Sequence, residues 1–197
     1  KSGIHEETFH SCVWYQKHVV CEPTGTTLLH FEGSDFETCV WVNGEKAGIH
    51  KGGYERFTMD LSDLIHAGDN LIVVRVRDSM DMRQPRGKQR WLEKNYKCWY
   101  VQTTGIWKTV WLEFVGKSYI RDLKLTPVMQ DGKIRIETEI AAEHENADRS
   151  LVLRAEVSFH GKSIGVTEFG FHGTRATIEM SVADPNEDSF AWSTHAW

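Results

Sequence analysis

The sequence predicts an all-β fold, and three observations support this prediction. Apolar and polar residues alternate with a period of two along nearly the whole chain, which is typical of strands with one buried face. Asn43-Gly44 joins two alternating segments and predicts a two-residue hairpin, because both turn positions need a positive φ. The stretch of residues 60–70 is long enough for only one helical turn, closed by Gly68.

Three segments in the first part of the chain alternate clearly enough to be assigned as strands. They are TTLLHFEG from Thr26, TCVWVNG from Thr38 and LIVVRVRD from Leu71. In the first, Leu29 and Phe31 share a face. The Gly52-Gly53 pair in KGGYERF then predicts a tight turn that folds Tyr54 and Phe57 back on the hairpin, so these glycines are interpreted as serving backbone geometry.

From Gly116 the pattern changes to short strands joined by polar turns such as QDG and EHENADR. Three apolar faces recur there: Ile134, Ile136 and Ile140; Leu151, Leu153, Ala155, Val157 and Phe159; and Ala176, Ile178, Met180 and Val182. This pattern predicts a second, smaller β-sandwich of immunoglobulin-like character without a cysteine pair. We place the boundary at Gly116 to Tyr119, giving domains 1–116 and 117–197.

Composition excludes several partners. The 197 residues are 40% apolar and 26% charged, which predicts one large or two modest folded domains. A net charge of -5 and a pI near 6.1 argue against nucleic-acid binding. No apolar run approaches the ~20 residues that span a bilayer, so no membrane association is expected. The N-terminus has no signal-peptide pattern, and a cytoplasmic or a periplasmic location remains open.

Cysteine and histidine give no metal or cofactor signal. Cys12, Cys21, Cys39 and Cys98 are far apart and form no C-x-x-C motif, so plain core thiols are favoured over disulfides or zinc ligands. The ten histidines are scattered, without metal-ligand spacing. Neither a metal site nor a cofactor is expected.

The aromatic and acidic residues offer candidate sugar contacts. Six tryptophans could stack on sugar rings: Trp14, Trp41, Trp91, Trp99, Trp107 and Trp111. Trp41 and Trp111 lie mid-strand and are predicted to pack within sheets, whereas Trp91 and Trp99 lie in a long loop and are the better candidates. The acidic cluster Glu32, Asp35 and Glu37 in FEGSDFE is interpreted as a solvated turn.

Four segments resemble the non-catalytic N-terminal half of a family 2 glycoside hydrolase, the group that contains β-galactosidases, β-glucuronidases and β-mannosidases. They are SGI with VWYQK in residues 2–17, the stretch from Leu28 to Asp78, QPRGKQRW from Gln84, and TTGIWKTVWLE from Thr103. The resemblance implies a jelly-roll (galactose-binding-like) sugar-binding domain, then an immunoglobulin-like domain. It also implies a (β/α)8 barrel that carries two catalytic glutamates.

No barrel sequence follows DSFAWSTHAW, and family members carry further residues before SGI. We therefore expect a clipped N-terminus and a non-catalytic fragment of an exo-acting, retaining, β-galactosidase-like enzyme. It would brace the barrel and contribute a loop to its sugar pocket. Whether the chain is itself an enzyme is left open, and no catalytic residue is assigned. The Asn186-Glu187 dipeptide lies in a Pro-containing polar turn and is not a candidate acid.

The segment Arg77 to Trp107 is the candidate loop, because long loops within compact sandwiches are usually functional or disordered. Its substrate-binding candidates are Arg86, Lys88, Gln89, Trp99 and Tyr100. Some relatives place an acidic sugar contact just before the GI motif, but CWYVQTT has no carboxylate. The middle of the loop is expected to be mobile in the isolated chain, and a loop that only packs outside the barrel is an equal alternative.

Two other function classes remain open: an autonomous carbohydrate-binding module and a structural or protein-interaction sandwich. The expected partners are a β-glycoside and the protein's own barrel. The identity of the sugar, its linkage and homo-oligomerisation cannot be derived from the sequence.

Overall fold

A computed structural model of the protein describes residues 8–141 and 151–182. The chain divides after Gly116 into two compact units, residues 1–116 and 117–197. Within the described residues nearly all regular structure is β-strand, and the one helical element is a 3₁₀ turn at Met129–Asp131. The predicted all-β fold is therefore confirmed.

The first unit is built from two facing antiparallel sheets and a short two-stranded pair. Its described strands are β1 (Cys12–Cys21), β2 (Thr26–Phe31), β3 (Ser34–Asp35), β4 (Glu37–Val42), β5 (Glu45–Lys51), β6 (Phe57–Asp60), β7 (Gly68–Arg77), β8 (Gly105–Ile106) and β9 (Val110–Val115). One sheet has the order β1-β7-β4-β5 and the other has the order β6-β2-β9. The short strands β3 and β8 pair with each other.

The hairpin between β4 and β5 turns at Asn43 and Gly44, whose φ angles are 53° and 90°. Both values are positive, as a type I′ turn requires, so the predicted hairpin is confirmed. The Asn43 side chain also links the turn to β7, because its oxygen accepts a hydrogen bond from the Leu71 backbone N–H at 3.0 Å. Its amide also donates to the Leu64 carbonyl at 3.0 Å. This one side chain therefore fastens the hairpin to β7 and to the turn before it.

The core of the first unit lies between the two sheets, where the inward side chains of alternating positions meet. Its buried members are Leu29, Phe31, Val40, Val42, Met59, Leu61, Ile72, Val74 and Val76. Burying one such side chain contributes roughly 1.5–3 kcal/mol. The face that Leu29 and Phe31 were predicted to share is thus the inner face of β2.

The second unit combines a three-stranded sheet with a hairpin. Its described strands are β10 (Tyr119–Val128), β11 (Lys133–Ala141), β12 (Leu151–Phe159), β13 (Lys162–Phe171) and β14 (Arg175–Ser181). The sheet order is β10-β11-β14, and β12 pairs with β13. Ile136, Met180 and Val182 form its buried cluster, against which Ala155 and Val157 of the hairpin pack. Sheet and hairpin therefore enclose one small sandwich core.

All four cysteines are free thiols. Cys39 is buried, as predicted, but Cys12 and Cys98 are exposed. Cys12 occupies an outward position of β1 and Cys98 lies in the long loop, so the prediction of core thiols was wrong for these two. Within the described ranges, no helix is long and apolar enough to cross a membrane.

Candidate functional site

The segment between β7 and β8, residues 78–104, contains the substrate-binding candidates and is called the long loop here. It is ordered by its own backbone hydrogen bonds: Arg90 N–H donates to the Tyr100 carbonyl at 2.6 Å, and Tyr100 N–H donates to the Lys88 carbonyl at 3.0 Å. A tighter turn at its far end is closed by Trp99 N–H and the Tyr96 carbonyl at 2.9 Å. The loop thus doubles back on itself between Lys88 and Tyr100.

A polar cluster around the buried side chains of Asp35 and Gln89 attaches the long loop to the sandwich. We call it the Asp35 network, consisting of Asp35, Tyr54, Gln89 and Thr103. The Gln89 amide donates to Asp35 Oδ2 at 2.7 Å and to the Tyr54 hydroxyl oxygen at 2.9 Å. The Thr103 hydroxyl donates to the same Asp35 oxygen at 3.2 Å, and the Thr103 N–H donates to Gln89 Oε1 at 2.8 Å. Asp35 of β3 therefore accepts hydrogen bonds from both arms of the loop, and Gln89 links the turn after β5 to the same network.

Burial controls the electrostatics of this network. Asp35 is only 1% exposed, and this burial raises the pKa of its carboxyl group, because removal from water disfavours the charged form. Hydrogen bonds from Gln89 and Thr103 act in the opposite direction on that pKa. The second oxygen, Oδ1, has no hydrogen-bond partner and is buried. Burial likewise raises the pKa of the Tyr54 phenol.

The Gly-Gly pair makes the close approach in this network sterically accessible. A Cβ on Gly53 would lie 2.5 Å from Asp35 Oδ1, so only glycine fits at this position. The Gly53 carbonyl accepts a hydrogen bond from Trp107 Nε1 at 2.8 Å. The interpretation of these glycines as serving backbone geometry is thus supported. Tyr54 contacts the long loop, and Phe57 stacks on His50 with ring centroids 3.8 Å apart.

A buried ion pair holds the first arm of the loop. Arg86 Nη1 lies 3.2 Å from Asp78 Oδ1, and the two side chains are almost fully buried. Asp78 also accepts hydrogen bonds from the Gln84 amide at 2.6 Å and the Thr104 hydroxyl at 3.0 Å. Arg86 Nη2 donates to the Arg90 carbonyl at 3.2 Å. Both charges of this pair are therefore engaged inside the unit.

The five substrate-binding candidates fall into two groups. Arg86 and Gln89 are buried in the contacts just described, so they hold the loop. Lys88 and Tyr100 are exposed, and Trp99 is half-buried beside Trp91 and Leu92. Two of the five candidates are thus buried in contacts within the first unit, and the other three are exposed or half-buried on the loop.

Asp35 lies at the centre of the site but was not predicted to be a site residue. Asp35 was interpreted as part of a solvated turn, which is wrong, because its neighbours come from distant parts of the chain. The signal that could have found it was the nearby Gly-Gly pair, which indicates close backbone approach. In the described parts of the chain, no group of three His, Cys, Asp or Glu side chains is arranged to hold a metal ion. Asn186-Glu187 lies outside the described residues.

Comparison with known proteins identifies the fold and the family. Residues 4–114 match the family described as glycosyl hydrolases family 2, sugar binding domain. The chain belongs to glycosyl hydrolase family 2. The family match covers the first unit, including the long loop and the Asp35 network.

Related family 2 proteins are similar over most of this chain. A protein of Formosa agariphila provisionally named a β-glucuronidase is 33% identical over 85% of this chain and 20% of its own length. A β-galactosidase of Thermoanaerobacter pseudethanolicus is 33% identical over 70% of this chain and 19% of its own length. The crystal structure of a Parabacteroides merdae β-glucuronidase matches with a TM-score of 0.70, at 14% identity, over 91% of this chain and 25% of that chain. The chain thus spans about a fifth of the length of these curated relatives.

Proposed function

We propose that this chain is a non-catalytic part of an exo-acting, retaining family 2 glycosidase of the β-galactosidase and β-glucuronidase group. In this proposal residues 1–116 are the sugar-binding domain and residues 117–197 the immunoglobulin-like domain. Both brace a catalytic barrel elsewhere in the protein, and the long loop contributes to its sugar pocket. The names of the relatives support the class of enzyme.

The observation that carries the proposal is the way the long loop is fastened. Two buried carboxylates, Asp35 and Asp78, accept hydrogen bonds from donors of the chain itself. A loop of this length that is fixed by an internal polar network presents a defined surface at its tip, and preorganised surfaces bind ligands at lower entropic cost. The same carboxylates are unsuited to glycoside hydrolysis, which needs two carboxyl groups that face one substrate.

The proposal assigns different roles to the five candidate residues. Lys88, Trp99 and Tyr100 contact the sugar: a lysine binds hydroxyl or carboxylate oxygens, and an aromatic ring stacks on the apolar face of a pyranose. Arg86 and Gln89 position the loop and do not touch the sugar. An acidic residue before the GI motif is absent here, so this loop would recognise the sugar through cationic and aromatic groups.

The test is kinetic and uses the complete protein. Trp99→Ala and Tyr100→Ala are each expected to lower kcat/KM on an aryl β-galactoside or β-glucuronide about tenfold, or roughly 1.4 kcal/mol, without changing the unfolding temperature. Gln89→Ala is expected to lower both quantities, because it loosens the loop. Glu93→Ala, an exposed change in the same loop, serves as the control. If the Trp99 and Tyr100 variants stay within about twofold of the parent, the loop does not contribute to the pocket.

The 197-residue chain alone is expected to have no glycosidase activity. The measurement is turnover of aryl β-galactosides, β-glucuronides and β-mannosides by the purified chain. Turnover that disappears when one of the chain's own carboxylates is replaced would overturn the assignment of a non-catalytic role.

A further inference from the structure

The outer face of the sheet β1-β7-β4-β5, which points away from the core, carries two stacked tryptophans. The rings of Trp14 on β1 and Trp41 on β4 have centroids 5.6 Å apart and planes inclined by 25°. Trp14 is 59% exposed, although a ring of this size is normally mostly buried. Ile49 on β5 lies in the row of Trp14, with Arg75 and the buried Cys39 between them, and is also exposed. The Trp14 ring and the Ile49 side chain are therefore presented to solvent, whereas Trp41 is partly buried.

Arg75 holds the two rings in place. Its guanidinium carbon lies 5.8 Å from the Trp14 centroid and 5.6 Å from the Trp41 centroid, within the range of cation–π attraction. Its Nη2 atom lies 3.4 Å from Glu37 Oε1, so the guanidinium is itself oriented. Rings fixed in this way lose little conformational entropy when a ligand stacks on them.

An open cavity of about 470 Å³ adjoins this surface. Its lining residues come from the edge of the sheet and from the start of the long loop: Ser11, Cys12, Phe36, Glu37, Lys51, Arg77, Asp78, Ser79 and Gln84. Cys12, Arg77, Glu37 and Lys51 form one row across the four strands, two residues along from the row of Trp14 and Arg75. Two residues of strand correspond to ~7 Å, so ring surface and cavity are neighbours on one face.

The charges of this face favour an anion. The outer face carries three cationic side chains, those of Arg75, Arg77 and Lys51, and the Glu37 carboxylate pairs with two of them, Arg75 at 3.4 Å and Lys51 at 3.3 Å. The other carboxylate at the cavity, Asp78, is already paired with the buried Arg86. Arg77 is exposed and forms no ion pair or side-chain hydrogen bond with the residues that the structure describes. Its guanidinium fork is available for a carboxylate or sulfate group.

We propose that this face binds an acidic oligosaccharide, with the apolar face of one pyranose on Trp14 and the anionic group of a neighbouring unit at Arg77. The open depression has room for a sugar unit, and the exposed Ser11 at its edge carries a hydroxyl that can bind a sugar hydroxyl. This site is separate from the tip of the long loop and does not depend on the proposed function.

Binding of matched saccharides to the 197-residue chain tests the proposal. The probes are a β-linked mannuronate hexamer, the mannose hexamer with the same linkage, and that mannose hexamer after sulfation, each titrated by calorimetry and tryptophan fluorescence. The mannuronate or the sulfated hexamer is expected to bind at least about tenfold more tightly than the neutral one, and more weakly as salt rises. Which of the two binds more tightly identifies the anionic group.

Variants of the face then separate its two parts. Trp14→Ala and Trp14→Phe are expected to weaken binding of both acidic and neutral hexamers, with Phe retaining part of the affinity. Arg77→Gln is expected to weaken only the acidic hexamers, at least about fivefold. Trp111→Ala and Arg56→Ala, exposed changes on the other sheet and its preceding turn, should leave binding unchanged.

Each variant is first checked for an unchanged unfolding temperature, and Trp14→Phe and Arg77→Gln retain most of the packing if a truncation does not fold. The proposal is overturned if no hexamer binds. It is also overturned if acidic and neutral hexamers bind equally, or if the Trp14 and Arg77 variants bind as tightly as the Trp111 and Arg56 controls.

Discussion

Replacement of Gln89 tests whether the Asp35 network fixes the long loop. The side chain is 2% exposed and makes three hydrogen bonds, to Asp35 at 2.7 Å, to Tyr54 at 2.9 Å and from Thr103 N–H at 2.8 Å. Gln89→Ala removes a hydrogen bond to a buried carboxylate, which costs about 1.5–3 kcal/mol. It also removes the acceptor of the Thr103 N–H, a part-buried hydrogen bond that contributes about 0.5–1.5 kcal/mol. The expected loss of unfolding free energy is therefore about 2–4.5 kcal/mol.

Gln89→Glu separates the effect of charge from the effect of shape. The carboxylate keeps an acceptor for Thr103 but places a second acid beside Asp35, and two adjacent carboxyl groups cannot both ionise without a large cost. This variant is expected to be nearly as unstable as Gln89→Ala at pH 7. At a pH near 4.5 it should recover much of the loss, because a shared proton restores the hydrogen bond.

The assay is urea unfolding of the 197-residue chain at both pH values, followed by tryptophan fluorescence, with hydrogen exchange of the loop amides. Lys88→Ala changes the exposed neighbour and should stay within about 0.5 kcal/mol of the parent. A Gln89→Ala loss below about 1 kcal/mol, or loop exchange equal to that of Lys88→Ala, would show that the network does not hold the loop.

Three further changes probe other parts of the first unit. Burial raises the folded-state pKa of Asp35 above its unfolded value, so the stability that it contributes is complete below the ordinary carboxyl pKa and falls as pH rises through the raised one. Asp35→Asn should remove this decrease in unfolding free energy with rising pH. Urea unfolding between pH 3.5 and 7 measures the decrease, and parallel pH profiles for parent and variant would contradict the prediction. Asn43→Ala should lose about 1–3 kcal/mol of unfolding free energy, because the hairpin loses its hydrogen bonds to Leu71 and Leu64. Asn43→Gly should lose less, because glycine accepts the positive φ at this position. Equal losses in the two variants would count against a contribution from φ. Gly105→Ala, at φ +104° and with its new methyl group against the Tyr15 hydroxyl, should lower the unfolding temperature by several degrees, and an unchanged thermal melt would refute this.

The strands and the hairpin could be predicted because their signals are local. Alternation predicted β2, β4 and β7 as strands and placed Leu29 and Phe31 on one face of β2, and a two-residue turn signal located the hairpin. The pairing partners of these strands could not be predicted in this way. β7 pairs with both β1 and β4, and β2 pairs with β6 and β9, and no local pattern encodes those registers.

The site residues could be predicted only in part, for the same reason. Arg86 and Gln89 were predicted to contact the sugar, but both are buried: Arg86 pairs with Asp78 of the same loop, and Gln89 donates hydrogen bonds to Asp35 and Tyr54 of other segments. Asp35 was read as solvated because GSDFE looks like a turn when its partners at positions 54, 89 and 103 are unknown. Trp14 and Trp41 are brought together only through the register of the strand between them, which the sequence does not show.

The position of β2 has a consequence for how the protein is made. β2 is the central strand of its sheet, and one of its two neighbours, β9, is the last strand of the first unit. During synthesis the β4-β5 hairpin can form early, but β2 keeps an open edge until Val115 has left the ribosome. Unpaired edges recruit other strands, so nascent chains that stall before this residue are the species most prone to aggregate. We therefore expect the folding rate of the first unit to depend more on the distant pairing of β2 with β9 than on the local β4-β5 hairpin.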